Sequence, residues 1–128
     1  MRLLLDTHAA LWWLNDDRRL SAPARRAIEN PGAERFLSIA AAWEMAIKSS
    51  LGRLKLPRPL GRFLQEHLPP NHIELLAIGI DDLSIVETLA FHHRDPFDRL
   101  MAAQAIERSL AVVSADPVFK KYGVERIW

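Results

Sequence analysis

The chain has 128 residues, of which 49% are hydrophobic and 26% are charged, and its formal net charge is +1. These values are typical of a globular protein and argue against one held to nucleic acid mainly by bulk charge. The absence of cysteine excludes disulfides and thiolate metal sites. No apolar run approaches the roughly 20 residues that a membrane span requires, and Asp6 and His8 interrupt the apolar start in a way that argues against a signal peptide. We expect one domain over residues 1–128, located in the cytoplasm.

Short apolar strands and helices alternate along the sequence. In chain order we predict a strand at 2–5, a helix at 7–14, a helix from the Ser21 cap to Asn30, a strand at 35–39, and a helix at 40–51 that ends at a left-handed Gly52. There follow a helix at 60–68, a strand at 73–78, a helix capped by Asp81, a helix at 98–108, a strand at 111–114, a short helix at 117–121 and a strand at 124–127. This alternation predicts a mainly parallel sheet sandwiched between helices.

Four carboxylates stand where apolar strands give way to turns or helices. Asp6 and Asp116 follow strands, Glu44 lies one turn into a helix, and Asp98 opens a helix, where the helix dipole favours a negative charge. In parallel sheets, ligands bind outside the carboxyl ends of the strands. We therefore expect the four acids to meet in one crevice.

Each acid also has a structural explanation. Asp6 could cap a helix, Glu44 could pair with Lys48 four residues later, and Asp116 could begin a turn. Capping explains each acid separately, but it does not explain why all of them fall at the same edge.

The DPFD segment offers two carboxylates for one position. Asp95 precedes proline, so its backbone is held extended. Asp98 opens the predicted helix, and we prefer it for the site.

Clustered acids imply a cation. Two carboxylates 4 Å apart repel by about 4 kcal/mol at an effective dielectric constant near 20. Oxygen ligands favour Mg²⁺ or Mn²⁺, and the histidines fit no zinc-ligand spacing. A carboxylate-held Mg²⁺ is suited to hydrolysis of phosphate esters.

A basic stretch follows Glu44 in the sequence. No acid lies between Glu44 and Glu66, and the basic residues in that interval are Lys48, Arg53, Lys55, Arg58 and Arg62. The stretch is either a solvated surface or a margin suited to a phosphate backbone or an acidic partner.

Four segments resemble the PIN-domain ribonucleases, and more narrowly the toxins of VapBC-type toxin–antitoxin pairs. They are LLLDTHAALWWL, the WE within AAAWEMAIKSSLGRLKLP, HHRDPFDRLMAAQA and SADPVFKKYGVERIW. The resemblance spans residues 3–128, with the motifs in the expected order. It implies a five-stranded parallel sheet in a three-layer α/β/α sandwich. It also implies an endoribonuclease that depends on Mg²⁺ or Mn²⁺ and cuts single-stranded or loop RNA.

The resemblance also assigns residues. Asp6, Glu44, Asp98 and Asp116 correspond to the family's catalytic and metal-binding acids. Ser114 stands where the family often has threonine, so the hydroxyl is kept. The expected auxiliary residues are Thr7, Asp95 and Ser114.

Family members are held inactive by an antitoxin whose tail crosses the active-site groove. A VapB-type antitoxin is therefore the implied partner besides RNA, in a homodimer or a toxin–antitoxin hetero-oligomer. The residues that we expect to contact RNA or the antitoxin are Trp12, Trp43, Lys48, Arg53 and Lys55.

Two other classes of protein share part of this pattern. A receiver-type signalling domain also has an acidic pocket, but it usually carries adjacent acids after the first strand, where this chain has Asp6-Thr7-His8. A catalytically silent PIN-like binding module is disfavoured by the intact set of acids.

Overall fold

Five parallel strands form one sheet. The computed structural model describes residues 1–128. Its strands are β1 (Arg2–Leu5), β2 (Glu34–Ser38), β3 (Ile73–Leu76), β4 (Ala111–Val113) and β5 (Arg126–Ile127). They are arranged in the order β3-β2-β1-β4-β5, and every adjacent pair is parallel. The prediction of a five-stranded parallel sheet is confirmed.

Helices connect the strands. They are α1 (Thr7–Leu14), α2 (Ala22–Glu29), α3 (Ile39–Ser50), α4 (Leu60–His67), α5 (Ile80–Thr88), α6 (Pro96–Arg108) and α7 (Val118–Lys121). Every predicted helix and strand is present, with boundaries that differ by no more than two residues. Gly52, with φ of 72°, has the left-handed conformation predicted for the end of α3. No helix is both long enough and apolar enough to cross a membrane.

The core is centred on the two middle strands. Leu3, Leu4 and Leu5 of β1 and Val112 and Val113 of β4 are all fully buried. Successive side chains of a strand point to opposite faces of the sheet, so continuous burial requires helices on both faces. The predicted α/β/α sandwich is therefore confirmed.

The strand order reverses between β1 and β4. The chain steps outward from β1 through β2 to β3, and then crosses back to place β4 on the other side of β1. This reversal leaves a crevice at the carboxyl ends of β1 and β4, which is where open parallel sheets bind ligands.

The predicted start of α5 was wrong. Gly79, not Asp81, is the N-cap residue, and the Oδ2 atom of Asp82 accepts a hydrogen bond from the Gly79 amide at 2.8 Å. Asp82 is fully buried, and its carboxylate is held by both terminal nitrogens of Arg108. Of the adjacent acids Asp81 and Asp82, Asp82 binds Arg108 and is buried, whereas Asp81 is exposed.

The ion pair between the buried Asp82 and the half-buried Arg108 gives a stability prediction. We expect Arg108→Met to lower the free energy of unfolding by about 3 kcal/mol, because Asp82 would remain buried without a partner. Urea denaturation measures the change. The matched control is Arg62→Met, whose exposed pair with Glu66 is worth less than about 1 kcal/mol. Equal effects of the two substitutions would contradict the prediction.

Candidate active site

The crevice at the reversal point collects all four predicted acids. Its volume is about 400 Å³. The acids reach it from the end of β1, from α3, from the first turn of α6 and from the loop after β4. The lining residues are Asp6, Thr7, His8, Trp12, Glu44, Lys48, Asp95, Asp98, Ala115, Asp116 and Pro117.

Asp6 both caps α1 and lines the crevice. Its Oδ1 atom accepts a hydrogen bond from the Ala9 amide at 2.7 Å, and its own amide donates to the carbonyl of Val113 at 3.1 Å. Burial raises the pKa of Asp6, although hydrogen bonds from Ser114 and Ala9 act to lower it. The charge on Asp6 is therefore only partly compensated.

Glu44 is buried, and both of its carboxylate oxygens have partners. Oε1 accepts a hydrogen bond from the Thr7 hydroxyl at 2.6 Å, and Oε2 lies 2.8 Å from the Nζ atom of Lys48. The pairing with Lys48 that the sequence offered as an alternative is thus formed. It places Lys48 inside the acid cluster, where it neutralises one of the four charges.

Asp95 and Asp98 have different roles in α6. The helix begins at Pro96 rather than at the predicted Asp98, because Asp95 is its N-cap residue. The Oδ1 atom of Asp95 accepts hydrogen bonds from the amides of Phe97 at 2.8 Å and Asp98 at 3.3 Å. Asp98 lies in the first turn with its side chain directed into the crevice.

The Asp98 carboxyl is a site group whose protonation is strongly perturbed by its surroundings. Its pKa is raised to about 7, first by burial and then by the negative charge of Asp95, with smaller contributions from Glu44 and Asp6. His93 acts in the opposite direction.

Asp116 is held in a turn after β4. Its amide donates to the hydroxyl of Ser114 at 3.0 Å, and its Oδ1 atom accepts from the amide of Val118 at 2.9 Å. Ser114 is fully buried. The hydroxyl therefore orients the turn that carries Asp116.

His93 is a site residue that the sequence did not reveal. Its Nε2 atom lies 3.1 Å from a carboxylate oxygen of Asp98 and 3.1 Å from one of Asp116. The sequence signal for a role of His93 is its place two residues before the DPFD segment, since zinc-ligand spacings do not single it out.

The donor set of the crevice fits a divalent cation. Each of His93, Asp98 and Asp116 offers one potential ligand atom, and these atoms lie within 4.8 Å of one another. Burial, and to a smaller extent the neighbouring carboxylates, raise the pKa values of Asp6 and Asp98 and so make their charged forms costly. A cation among these oxygens would remove that cost.

A second groove, here called the basic groove, adjoins the crevice. It has a volume of about 470 Å³ and shares Thr7, His8, Trp12 and Lys48 with the crevice. It is also lined by Leu11, Asn15, Asp17, Arg19, Arg53, Leu54, Lys55, Leu56, Pro57 and Phe63.

Four of the five predicted contact residues line the basic groove, and Trp43 does not. Trp12 forms part of its wall, with the guanidinium of Arg19 5.1 Å from the indole centroid and Trp128 packed behind it at 5.8 Å. Trp43 is 57% exposed and lies edge-on to Phe97, at a centroid distance of 5.2 Å.

The fold and the crevice define an α/β domain with an acidic crevice at the switch point of a parallel sheet. The family model described as the PIN domain matches residues 3–125 of the chain. The chain therefore belongs to the PIN-domain family, as its resemblance to that family indicated.

Individual relatives agree with this assignment. The chain is 33% identical over 118 residues to Ribonuclease VapC22 of Mycobacterium tuberculosis, a match that covers 89% of this chain and 86% of that protein. It is similar to VapBC2 from Rickettsia felis, with a TM-score of 0.73 at 15% identity over 100% of both chains. It is also similar to a toxin–antitoxin complex from Klebsiella pneumoniae, with a TM-score of 0.59 at 16% identity over 89% of this chain and 86% of that one. The two structural likenesses concern the fold alone.

The raised pKa of Asp98 predicts how the stability of the metal-free protein depends on pH. An ordinary aspartate ionises near 3.8, whereas Asp98 in the folded chain does so at about 7. Between these values the folded state binds more protons than the unfolded state, so the free energy of unfolding falls as the pH rises. We expect Asp98→Asn to remove this part of the decline. At neutral pH its melting temperature should exceed that of the wild type by about 4 °C for each kcal/mol regained.

Thermal unfolding in EDTA from acid to neutral pH measures the effect. The control is Glu125→Gln, an exposed position that lines neither the crevice nor the second groove beside it, which should keep the wild-type pH dependence. An Asp98→Asn protein that is no more stable than the wild type at neutral pH would show that ionisation of Asp98 does not destabilise the folded chain.

Proposed function

We propose that the protein is an endoribonuclease that depends on Mg²⁺ or Mn²⁺, and that residues 1–128 form a single nuclease domain acting in the cytoplasm. The observation that carries the proposal is the convergence of Asp6, Glu44, Asp98 and Asp116 in one crevice of a PIN-domain fold. The name of the relative with 33% identity, a ribonuclease, supports the same activity. Oxygen-rich donor sets favour Mg²⁺ or Mn²⁺ over softer metals.

The four acids would hold the metal and position the attacking water. When bound, the cation supplies charge neutralisation at the phosphoryl oxygens and a more acidic water. The auxiliary residues act through the acids: Thr7 orients Glu44 by its 2.6 Å hydrogen bond, and Ser114 fixes the turn that carries Asp116. Asp95 orients the first turn of α6 and thereby Asp98.

The basic groove would bind the RNA strand that leads into the crevice. Arg53 and Lys55 provide charge for phosphates, and Trp12 provides an aromatic wall against which a base can stack. Stacking and backbone charge act on unpaired nucleotides, so single-stranded or loop RNA is the substrate that suits this groove. Lys48 lines both spaces, at the boundary between the basic and the acidic surface.

We further propose that the protein is the toxin of a toxin–antitoxin pair. Its structural neighbours include a VapBC complex and a toxin–antitoxin complex. A VapB-type antitoxin would inhibit the enzyme by laying its tail along the basic groove and over the crevice, within a homodimeric or hetero-oligomeric assembly. Trp43, an exposed residue of α3 that packs against Phe97 of α6, would offer an apolar contact for that antitoxin.

An RNA cleavage assay tests the activity. Purified protein should cleave single-stranded RNA with Mg²⁺ or Mn²⁺ and lose this activity in EDTA. Asp6→Asn should lower the cleavage rate by roughly a hundredfold or more, the effect of about 2.7 kcal/mol on the barrier. Glu125→Gln, prepared in the same way, should cleave like the wild type. Cleavage that survives both the chelator and Asp6→Asn would identify a contaminating nuclease and defeat the proposal.

The basic groove gives a separate binding prediction. In an Asp6→Asn background, which prevents cleavage, Arg53→Ala with Lys55→Ala should weaken binding to single-stranded RNA by about tenfold. The slope of log affinity against log salt should fall by about 1.4, because each lost phosphate contact on a single strand contributes about 0.7. Fluorescence anisotropy over a series of salt concentrations measures both quantities.

The matched control for this prediction is the double variant Arg58→Ala with Arg62→Ala. It removes two positive charges from the same basic stretch, at positions outside the groove. Both arginines lie beside Glu66 instead. If the two double variants weaken binding and reduce the slope equally, RNA responds to overall charge and the groove has no special role.

A further inference from the structure

His93 bridges two of the acids in the crevice. Its Nε2 atom meets an oxygen of Asp98 and an oxygen of Asp116, each at 3.1 Å. The oxygen of Asp116 that it contacts is Oδ2. The other oxygen, Oδ1, accepts a hydrogen bond from the Val118 amide at 2.9 Å. His93 therefore occupies the carboxylate oxygen through which Asp116 is otherwise free to bind a ligand.

The surrounding backbone fixes which nitrogen of His93 carries the proton. The Nδ1 atom accepts a hydrogen bond from the amide of Asp95 at 2.9 Å. A neutral imidazole whose Nδ1 is an acceptor has its hydrogen on Nε2, so Nε2 donates to Oδ2 of Asp116 while it also lies 3.1 Å from Asp98. Histidines that bind metals show the opposite arrangement: one nitrogen gives its lone pair to the metal and the other donates a hydrogen bond. His93 is thus arranged as a donor to the acids rather than as a metal ligand.

The loop that carries His93 is anchored at several points. The backbone amide of His93 donates to the hydroxyl of Tyr122 at 3.0 Å. The buried guanidinium of Arg99 donates to the carbonyls of Leu89 at 3.1 Å and Ala90 at 2.9 Å, and lies 4.0 Å from the centroid of the Phe91 ring. These contacts fix the path of the loop and so hold the imidazole between the carboxylates of Asp98 and Asp116.

We propose that His93 is a positioning residue of the metal site, whose Nε2–H tethers Asp98 to Asp116 in the metal-free protein and gives up these oxygens when a divalent cation binds. The inference rests on the metal site of the proposed function. It adds that His93 lowers the affinity of the site, because a cation that binds Oδ2 of Asp116 must first displace the Nε2–H that donates to this oxygen.

Metal titrations of the purified, EDTA-stripped protein test the role of His93. Isothermal titration with Mn²⁺ and with Mg²⁺ gives the dissociation constant, and thermal unfolding gives the melting temperature with and without metal. His93→Ala should melt at a lower temperature without metal, since the tether is lost. It should bind Mn²⁺ more tightly, by a factor on the order of ten, equivalent to about 1.4 kcal/mol.

Two further variants separate this role from general damage to the loop. His93→Gln keeps a side-chain N–H donor and should restore an affinity close to that of the wild type. His92→Ala removes the neighbouring exposed histidine, which packs against the ring of Tyr122 and contacts no carboxylate, and should leave metal affinity unchanged. Loosening of the loop alone would weaken metal binding, whereas the proposal requires His93→Ala to strengthen it.

Electron paramagnetic resonance of the Mn²⁺-loaded wild type gives an independent measurement. No hyperfine coupling to a directly bound histidine nitrogen is expected. Such a coupling in the wild type that disappears in His93→Ala, or weaker binding by His93→Ala, would make His93 a ligand and overturn the inference. Unchanged affinity in His93→Ala would overturn it as well, while leaving the metal site of the proposed function intact. A wild type that binds neither metal would instead defeat that site, and this inference with it.

Discussion

Negative charge crowded at the reversal of strand order is the constraint around which this structure is arranged. Parallel strands bring the carboxyl ends of β1 and β4 together, and the same geometry brings four acids into a crevice of about 400 Å³. The protein offsets this repulsion locally, by Lys48 at Glu44 and by His93 between Asp98 and Asp116. Burial and the remaining negative charge still raise the pKa of Asp98 to about 7, and burial above all raises that of Asp6.

Capping a helix and lining the site prove to be compatible roles for these acids. A carboxylate has two oxygens, and Asp6, Asp95 and Asp116 each use Oδ1 to accept backbone amides. The amides fix the orientation of each side chain, and Oδ2 remains for other partners. The capping and turn hydrogen bonds that offered a purely structural explanation for each acid are therefore the same bonds that orient it within the crevice. Glu44 differs, because both of its oxygens are engaged by side chains.

The sequence predicted the architecture and the convergence of the acids because both follow from local patterns. Alternating apolar segments determine the parallel sheet, and strand ends determine where the acids lie. The choice between adjacent acids could not be predicted in the same way: Asp82 turns inward because Arg108, 26 residues later, meets it. His93 was missed for a related reason. Its position depends on the path of a loop held by Arg99 and Tyr122, and no local spacing rule describes that path.

The boundary between the basic groove and the acidic crevice links the two halves of the proposed function. Lys48 lies at that boundary, bound to Glu44 yet lining both spaces. A phosphate backbone drawn into the basic groove would meet the acids at the crevice, where direct contact is repulsive without an intervening cation. The arrangement therefore favours cooperative binding, in which the metal and the RNA each raise the affinity for the other. Before that cation binds, the internal donors Lys48 and His93 are the groups that contact Glu44 and Asp116.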